Sequence, residues 1–284
     1  HLIPMGAAIW STPATEMMSY PAATFVRFCE NHGLLQLSNR PQWRTVTGGS
    51  QAYVSRIRDI LGSHIHLNSA VISIRYENDV VTVECRDGQS AQYDEVVIAT
   101  HADQALKLLA EPTAQQEKIL SEFTYTKNLA ILHTDQNLMP KRRNAWASWN
   151  YLSEPSVDGE QELCLSYWMN RLHRLDTDTD YFVTLNPLTQ PKEGSVIRSF
   201  PYEHPLFDLG AIQAQKELWS LQGANRMWFC GSYFGYGFHE DGLQAGLAVA
   251  ELLGDMTRPW DFDFTKSRIA LPDNTVKLQL SNVA

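Results

Sequence analysis

The residues best suited to chemistry in this sequence lie near its C-terminus, where an apolar run, a glycine-rich loop and a helix follow one another. The apolar residues 227–230 predict a buried strand that ends at Gly231. Gly235 and Gly237 predict a flexible loop, and apolar residues at helical spacing predict a helix over 243–253. Main-chain N–H groups and the positive end of a helix dipole are available at such a junction. The pattern therefore predicts an anion or cofactor site, with an ordinary strand–loop–helix corner as the alternative.

Side chains that could act as acids or bases are few. His133 and His239 carry imidazoles that titrate near neutral pH, but a lone histidine usually has a structural role. His64 and His66 would share one strand face without a third ligand at suitable spacing, so the sequence predicts no metal site. The sequence contains no G-x-S-x-G nucleophile elbow, Walker loop or H-E-x-x-H motif. This scarcity fits a protein whose chemistry is done by a bound cofactor.

Composition narrows the class of protein. With 284 residues, 44% of them hydrophobic, the chain is long enough for one large domain or two intertwined ones. The formal net charge of −9 argues against a nucleic-acid partner, because phosphate contacts require a basic face. No apolar run is long enough to span a bilayer as a helix. The four cysteines are far apart and form no C-x-x-C pair, which favours reduced thiols in a cytoplasmic protein.

The elements that must position the site can be predicted from periodicity and turn signals. The pair Gly48-Gly49 leads into an amphipathic helix, and we expect its apolar residues between Tyr53 and Leu61 to be buried. A second amphipathic helix is predicted over residues 21–33. Strands separated by turn signals predict an antiparallel meander, at residues 71–76, 80–85 and 89–93. A fully buried strand of a parallel sheet and a helix are predicted next, at residues 94–100 and 102–109.

The middle of the chain has a different pattern, rich in strands and aromatic residues. Alternating or continuous apolar runs predict strands at 127–134, 145–151, 163–169, 181–185 and 196–202. Helical spacing predicts one helix on each side of them, at 115–123 and 209–221. This arrangement predicts a second module with a β-sheet.

Three stretches, in the same order, resemble the flavin-containing amine oxidase superfamily, which includes monoamine oxidases, polyamine oxidases and phytoene desaturases. Gly231 followed by Glu-Asp-Gly-Leu-Gln-Ala-Gly at 240–246 resembles its closing flavin motif. Gly48-Gly49 before a helix and a V-x-x-I strand resembles an earlier motif. The sequence Asp-Glu-Val-Val-Ile-Ala-Thr at 94–100 resembles the strand that returns to the nucleotide-binding sheet. Together the resemblance covers most of residues 44–110 and 226–254.

The resemblance implies an α/β fold with FAD as the cofactor: part of a Rossmann-like FAD-binding domain, joined to a mixed-sheet substrate domain. In that family the glycine ending the last strand lies beside the pyrophosphate and ribityl chain, and the loop-to-helix step meets the flavin ring. A main-chain group at the position of Val71 pairs with adenine, and His239 would lie near the ring. Lys127 is a candidate for the family lysine that holds a water near the flavin, with a surface lysine as the alternative. The cofactor-binding residues implied are Gly48, Gly49, Val71, Gly231, Ser232, Asp241, Gly242 and Leu243.

We therefore expect five segments along the chain. Residues 1–43 would be a helical segment of the substrate domain, and residues 44–111 a part of the FAD-binding domain. Residues 112–222 would be the substrate domain with its mixed β-sheet. Residues 223–256 would return to the FAD-binding domain as its C-terminal strand and helix, and residues 257–284 would be a C-terminal tail.

Aromatic residues on the central strands are candidates for substrate contacts. They could form one face of an aromatic pocket, while the ordinary preference of aromatic residues for strands explains them equally well. Because the superfamily lays its substrate against this sheet, we retain Trp149, Tyr151 and Trp168 as substrate residues and assign Trp146 and Tyr167 to the core. The expected substrate is a hydrophobic or aromatic small molecule or an acyl chain, oxidised or desaturated by hydride transfer to FAD.

One part of the superfamily pattern is missing from the sequence: the strand–G-x-G-x-x-G–helix unit with its acidic residue for the adenosine ribose. We expect the sequence to be the C-terminal part of a longer flavoprotein, which alone carries no FAD and no oxidase activity. It would then oligomerise or need its N-terminal half as a separate chain. The alternative is a non-catalytic binding or scaffold module on a decayed flavoprotein fold. A flavin monooxygenase would require a nicotinamide site, which we do not find.

Overall fold

A computed structural model describes residues 2–10, 14–42, 44–155, 161–263 and 267–271. Within these residues the α-helices are α1 (Leu2–Trp10), α2 (Ala14–Met17), α3 (Ala22–Asn31), α4 (Gln51–Leu61), α5 (Ala102–Leu108), α6 (Ala114–Leu120), α7 (Met169–His173), α8 (Leu209–Glu217) and α9 (His239–Gly254). The strands are β1 (Val71–Glu77), β2 (Val80–Cys85), β3 (Ser90–Tyr93), β4 (Val96–Ile98), β5 (Thr124–His133), β6 (Trp149–Pro155), β7 (Gln161–Trp168), β8 (Phe182–Leu185), β9 (Val196–Leu206) and β10 (Met227–Phe229). Helices combined with several separate sheets confirm the α/β class.

The chain divides into two units, each made of two separate stretches of sequence. Unit 1 comprises residues 1–65 and 126–204, and unit 2 comprises residues 66–125 and 205–284. Helix α4 and the glycine pair before it belong to unit 1. Residues 272–284 of the expected C-terminal tail lie outside the described part of the chain. The five functional segments expected from the sequence stay a prediction.

Unit 1 is built on a five-stranded sheet with the order β6-β7-β8-β5-β9. The pairings of β6 with β7, β7 with β8 and β8 with β5 are antiparallel. Helix α1 contributes Ala8 to a buried cluster that also contains Ala130, Leu165 and Leu185. Successive side chains of a strand point to opposite faces of a sheet. This alternation therefore decides which aromatic side chains can share a pocket.

Strand β6 begins at Trp149, later than the alternating pattern at 145–151 predicted. A turn precedes it, in which the Asn150 side-chain amide accepts the Ala147 N–H at 2.9 Å and donates to the Ala147 carbonyl at 2.7 Å. Trp146 stays outside the strand, since its main-chain N–H closes the preceding 3-10 turn on the Arg143 carbonyl at 3.0 Å. Its indole N–H donates to the Pro140 carbonyl at 2.8 Å. A polar–apolar alternation cannot reveal a turn that is closed by one side chain.

Helices α3 and α4 form where the sequence predicts them, but only α3 buries apolar residues. Phe28 and Cys29 of α3 are buried. In α4, Val54, Ile57 and Ile60 are 53%, 51% and 82% exposed. The expected burial of this face is wrong, because periodicity identifies the apolar face of a helix but not whether another element covers it. Within the described residues, α4 contributes no buried side chain.

The described residues of unit 2 form two small sheets. Strands β1, β2 and β3 form the antiparallel meander that the turn signals predict, with positive φ angles at Asn78, Asp79 and Gly88 in its turns. Strand β4 pairs in parallel with β10, which places Ile98 opposite Phe229. The prediction of a fully buried strand is wrong, because Val97 is 43% exposed. Among the described residues this sheet has two strands, and it is too small to have both faces covered as in a large parallel sheet.

The core of unit 2 lies between these strands and helices α5, α6, α8 and α9. Its fully buried side chains include Ala105, Leu218, Phe229 and Ala245. Helix α6 begins at a capping box, in which Thr113 Oγ1 accepts the Gln116 N–H at 3.2 Å and the Gln116 side chain accepts the Thr113 N–H at 2.8 Å. Such a cap contributes about 1 kcal/mol to helix stability. Among the described residues, none of the helices combines the length and the apolar character needed to cross a bilayer.

Candidate functional site

The candidate site lies in unit 2 at the carboxyl ends of the parallel strands β4 and β10. Ligands of α/β sheets bind outside this edge. Gly231 follows β10 here, and a Cβ atom added to it would lie 2.6 Å from the Tyr233 ring and 3.4 Å from the Thr100 carbonyl oxygen. The backbone at Gly231 is extended, so packing and not the backbone angle excludes a side chain. A larger residue would have to displace a buried ring.

The loop after Gly231 begins with a 3-10 turn over Ser232–Phe234, and the flexibility predicted from Gly235 and Gly237 stays a prediction. The side chains of Tyr233 and Phe234 are 1% and 2% exposed. Tyr233 meets Phe123 edge-on with 5.2 Å between ring centroids, and Phe234 meets Trp219 edge-on at 5.3 Å. Burial also raises the pKa of the Tyr233 phenol well above its ordinary value. Aromatic packing therefore buries the two residues with which this glycine-rich loop begins.

Hydrogen bonds hold the main chain of this loop as well. The side-chain amide of Gln215 donates to the carbonyls of Tyr233, at 2.9 Å, and Gly235, at 2.5 Å. The N–H groups of Gly235 and Gly237 both donate to the Ser232 carbonyl at 3.1 Å. Gly237 has a φ angle of +91°, which residues with a side chain rarely adopt. These hydrogen bonds hold the main chain of the loop from Ser232 to Gly237.

Helix α9 begins at His239, earlier than the apolar spacing from residue 243 predicted. The Asp241 carboxylate accepts the Phe238 N–H at 2.8 Å and so closes the first turn. An acidic side chain at this position also interacts favourably with the positive end of the helix dipole. The hydrophobic pattern missed the turn because its residues are polar, and a carboxylate cap specifies it in place of apolar side chains.

Gly242 lets the first turn of α9 approach the loop closely. A Cβ atom added to Gly242 would lie 3.6 Å from the Ser232 nitrogen and 3.9 Å from the Gly231 carbonyl carbon. Within the described part of the chain, the N–H groups of Gly231 and Ser232 donate no hydrogen bond, and both residues are partly exposed. Two main-chain donors thus meet the N-terminus of a helix, which suits an anionic or electron-rich group of a ligand.

Asp241 is fully buried beside this junction, where an arginine pairs with it. Its exposure is 0%, and the Nε atom of Arg268 lies 3.1 Å from its Oδ1 atom. Burial raises the pKa of Asp241, while the charge of Arg268 and hydrogen bonds from the Phe238 and Tyr236 main chain act in the opposite direction. When both groups are ionised, the pair adds no net charge to the junction.

The other predicted cofactor residues are spread over both units. Val71 begins β1 and pairs with Cys85 in the meander. Leu243 follows Gly242 in α9 and is 57% exposed. Gly48 and Gly49 belong to unit 1 and have φ angles of +83° and +74°, which favour glycine. The structure brings together Gly231, Ser232, Asp241 and Gly242, while flavin contacts at the other four positions stay predictions.

His133 is fully buried in the sheet of unit 1, and both of its ring nitrogens are hydrogen-bonded. Nδ1 accepts the Asp135 N–H at 3.1 Å, so Nε2 carries the proton and donates to Thr184 Oγ1 at 2.7 Å. The Thr184 hydroxyl in turn contacts Ser166 Oγ at 2.7 Å. Burial lowers the pKa of His133, and the charge of Asp135 opposes this shift. These contacts favour a structural role for His133 over an acid–base role.

The two remaining acid–base candidates, His239 and Lys127, are exposed. His239 is the first residue of α9 in unit 2, and Lys127 lies on β5 in unit 1. Their part in chemistry stays a prediction. Among the described residues, no group of three or more His, Cys, Asp or Glu side chains could hold a metal ion.

The aromatic residues of β6 and β7 lie on two faces of the sheet, so the single pocket face suggested by the sequence is wrong. Trp149 lies opposite Tyr167 and meets its ring edge-on at 5.4 Å. Tyr151 shares this face and packs against the cluster under α1. Trp168 follows Tyr167 directly and therefore points to the other face. There it meets Trp146 edge-on at 5.3 Å.

Trp168 is held in place by Asp180. Its indole N–H donates to Asp180 Oδ1 at 2.8 Å, and Arg143 donates to Oδ2 of the same carboxylate at 2.9 Å. The Arg143 guanidinium also lies 4.4 Å from the centroid of the Trp146 ring. Trp149, by contrast, is 43% exposed. Of the two tryptophans assigned to the substrate, Trp149 is the more accessible to a ligand.

Sequence patterns did not identify Gln215 and Arg268 as part of this site. A single glutamine within a helix and a single arginine beyond the last helix carry no local signal. Tyr233 did have a usable signal, since it lies two residues after the glycine that ends a strand. A large residue so close to an obligatory glycine indicates that the glycine makes room for its ring.

Comparison with known proteins gives one family and several related structures. The model of a family described as flavin containing amine oxidoreductase matches residues 9–177, more than half of the chain. A CLA-producing fatty acid isomerase from P. acnes has a TM-score of 0.60 and 12% identity, covering 89% of this chain and 62% of that chain. Cyclohexylamine oxidase from Brevibacterium oxydans IH-35A has a TM-score of 0.53 and 12% identity, with coverages of 89% and 64%. Putrescine oxidase bound to putrescine has a TM-score of 0.53 and 13% identity, with coverages of 74% and 53%.

These matches confirm the resemblance and the fold class. The chain spans less than two thirds of the length of each of these solved structures, which are matched over 62%, 64% and 53% of their chains. At such low identity the structural likeness shows the fold alone. Comparison with curated protein sequences gives no match.

Proposed function

Since the chain belongs to the family of flavin containing amine oxidoreductases, we propose that it is part of an FAD-dependent oxidoreductase whose flavin contacts the site in unit 2. The observation that carries this proposal is the junction of Gly231, Ser232 and Gly242, where two main-chain N–H groups that donate no hydrogen bond within the described residues meet the start of α9. The family match ends at residue 177, so the proposal for this site rests on its geometry. When bound, FAD would accept the hydride removed from the substrate.

The residues of this chain would bind and orient the flavin. The N–H groups of Gly231 and Ser232 would donate to the pyrophosphate and ribityl side, and Asp241 to Leu243 would meet the ring. The positive end of the α9 dipole would favour electron density at that edge of the ring. A main-chain group of Val71 would hold the adenine, and Gly48-Gly49 would let the backbone approach the cofactor. His239 would lie at the rim of the site.

We also propose that a dinucleotide-binding unit completes this site. The sequence contains no G-x-G-x-x-G stretch, which would supply the helix N-terminus for the pyrophosphate. Within the described residues, the parallel sheet of unit 2 consists of β10 and β4, and another strand could extend it. Without that unit the chain would offer contacts on one side of the cofactor and would associate through exposed apolar surface and strand edges.

Replacing Gly242 with valine should remove FAD from the completed protein and leave the fold intact. The added side chain would enter the space between α9 and the Ser232 nitrogen, where the backbone has to approach the cofactor. Gly246→Val is the matched control, because it places the same residue one turn later in the same helix, where a Cβ atom meets nothing within 4 Å. Flavin absorbance measures the FAD content of both variants, and circular dichroism measures whether their fold is intact. Equal flavin content in the two variants would contradict the site.

We propose a hydrophobic or aromatic small molecule or an acyl chain as the substrate, with desaturation as an alternative to amine oxidation. The similar structures are named for a fatty acid, a diamine and a cyclic amine, so the fold does not select among these classes. Support comes from the face of the unit 1 sheet that carries Trp149 and Tyr151, where Trp149 is 43% exposed. Trp168, although retained from the sequence, lies on the other face.

Alanine substitutions should separate the two tryptophans. Trp149→Ala should weaken binding of oleate, used as an acyl-chain probe, and change the free energy of unfolding by less than about 1 kcal/mol. Trp168→Ala should cost about 3 kcal/mol, because it removes a ring packed on Trp146 and leaves Asp180 without one donor. Titration calorimetry measures the affinity for oleate, and urea denaturation measures the free energy of unfolding. Loss of oleate binding in Trp168→Ala alone would place the substrate on the opposite face.

A cytoplasmic location is also proposed for the protein. The cysteines Cys29, Cys85, Cys164 and Cys230 are free, and three of them are buried. Buried free thiols need no oxidising compartment for folding.

A further inference from the structure

The segment Ser267–Leu271, here called the C-terminal strap, packs against the helix that carries the candidate site. Ile269 of the strap is 5% exposed. The Arg268 N–H donates to the Gln244 side chain of α9 at 3.1 Å. The indole N–H of Trp219 donates to the Ala270 carbonyl. The strap is therefore anchored at Arg268 itself and at the two residues that follow it.

These anchors direct the Arg268 side chain at the first turn of α9. Its Nε atom lies 3.1 Å from Asp241 Oδ1, and its Nη2 atom lies 3.5 Å from Oδ2. The shorter contact is misaligned for a hydrogen bond, so the attraction is mainly between charges. The guanidinium also lies 5.3 Å from the ring centroid of Tyr236 and 5.9 Å from that of Phe238. With its side chain 18% exposed, Arg268 is a largely buried cation.

The Asp241 carboxylate is the point where loop, helix and strap meet. Oδ2 accepts the Phe238 N–H at 2.8 Å, which starts the helix. The loop passes against the same carboxylate, since a Cβ atom added to Gly235 would lie 2.6 Å from Oδ1. Arg268 approaches the same two oxygens from the strap. A displacement of Asp241 would therefore move both the loop and the first turn of α9.

Gln244 makes a second connection between the strap and this turn. Its Nε2 donates to Glu240 at 2.8 Å, while its Oε1 accepts the Arg268 N–H. Glu240 and Gln244 lie one turn apart in α9. The strap therefore contacts the first turn of α9 in two ways, through the Arg268 main-chain N–H by way of Gln244 and through the Arg268 guanidinium. Gln244 is 6% exposed and Asp241 is 0% exposed, which makes the connection internal and weakly screened by solvent.

The charge of Arg268 has a further consequence for the junction. Without a cation, the buried Asp241 carboxylate would oppose a second anionic or electron-rich group near the Gly231 and Ser232 N–H groups. Arg268 compensates that charge and fixes the carboxylate in the orientation that caps α9. We propose that Arg268 is a positioning residue of the flavin site, acting through Asp241 to hold the loop and the start of α9 in their binding geometry. This inference rests on the proposed function, which supplies the identity of the ligand.

Four variants test the inference. Arg268→Met removes the charge and keeps the length, and Arg268→Lys restores the charge. Asp241→Asn combined with Arg268→Met removes both charges. Arg258→Met is the matched control, because Arg258 makes a buried pair with Glu251 of the same helix, at 2.7 Å, away from the loop. If Arg268→Met fails to fold, Arg268→Gln replaces it in every comparison.

The first readout needs no cofactor: hydrogen exchange of the amides of residues 232–242 in the chain as it stands. Arg268→Met should speed this exchange about tenfold, and Arg258→Met should leave it near the wild-type rate. The second readout is the Kd for FAD of the completed protein. Arg268→Met should raise it about tenfold, with Arg268→Lys and the double variant recovering most of the loss.

Each outcome decides a separate claim. If Arg268→Met and Arg258→Met change the exchange of residues 232–242 equally, Arg268 has a merely structural role and the inference is overturned. If the Kd for FAD rises as far in the double variant as in Arg268→Met, Arg268 does not act through the Asp241 charge, which also overturns it. If the wild-type completed protein binds no FAD, the proposed function fails, while the exchange measurement still decides whether Arg268 positions the loop.

Discussion

Replacing His133 with alanine should lower the free energy of unfolding by about 2–4 kcal/mol and have little direct effect on chemistry. The imidazole is fully buried, accepts the Asp135 N–H and donates to Thr184. Its removal leaves a cavity and two polar groups without their partner. Urea denaturation measures the loss, and His64→Ala is the control, because His64 is exposed and its removal should change stability by less than about 0.5 kcal/mol.

The same residue should give the wild-type protein a dependence of stability on pH. The pKa of His133 in the folded state is lowered below 6.5, so the unfolded chain takes up a proton at a pH where the folded chain does not. The difference in proton uptake at His133 has no effect on stability above about pH 6.5. As the pH falls below that value, it lowers the free energy of unfolding. His133→Ala should therefore lose less stability than the wild type between neutral pH and pH 5. If His133→Ala keeps near-normal stability and the completed protein that carries it loses most of its turnover, His133 belongs to the acid–base chemistry instead.

Local signals in the sequence determined much of the framework. The meander forms because Asn78, Asp79 and Gly88 accept the backbone angles of its turns and the strands between them are apolar on alternate positions. Helix α3 begins after Pro21, whose fixed φ angle suits that place. Two short apolar runs predicted the strands β4 and β10, although the burial of β4 was overestimated at Val97.

Burial could not be predicted with the same success, because it depends on what lies next to each element. The apolar face of α4 has the expected period and yet Ile60 is 82% exposed. The loop around Tyr233 shows the opposite case, since its glycines predicted a flexible loop and Tyr233 and Phe234 are 1% and 2% exposed. In both cases the pattern carries information about the segment itself and none about the elements that lie next to it.

The residues predicted for the candidate site come together only where the contacts are local. Gly231, Ser232 and Gly242 come together because a short loop joins β10 to α9. Arg268 reaches Asp241 from a segment 27 positions away, and no periodicity indicates that contact. The two faces of β7 were predictable from strand alternation, which separates Tyr167 from Trp168. A single pocket face that includes both residues is incompatible with this alternation.

Completion of unit 2 should change the flavin content of the chain from none to one per complex. The chain can offer Gly231, Ser232 and the start of α9, which would contact one side of the cofactor. A G-x-G-x-x-G unit would add the helix N-terminus that compensates the pyrophosphate charge and the acidic residue for the ribose. It would also extend the sheet of β4 and β10 and cover exposed apolar side chains such as Val97. The chain alone should therefore associate into oligomers and lack oxidase activity.

The visible absorption spectrum tests this account most directly. The chain is purified alone and, in parallel, after co-expression with a polypeptide that carries the proposed G-x-G-x-x-G unit. The account predicts a colourless chain and a yellow complex that contains one FAD per chain. A colourless complex would contradict the flavin site, and a yellow, stoichiometrically flavin-loaded monomer of the chain alone would contradict the need for a completing unit.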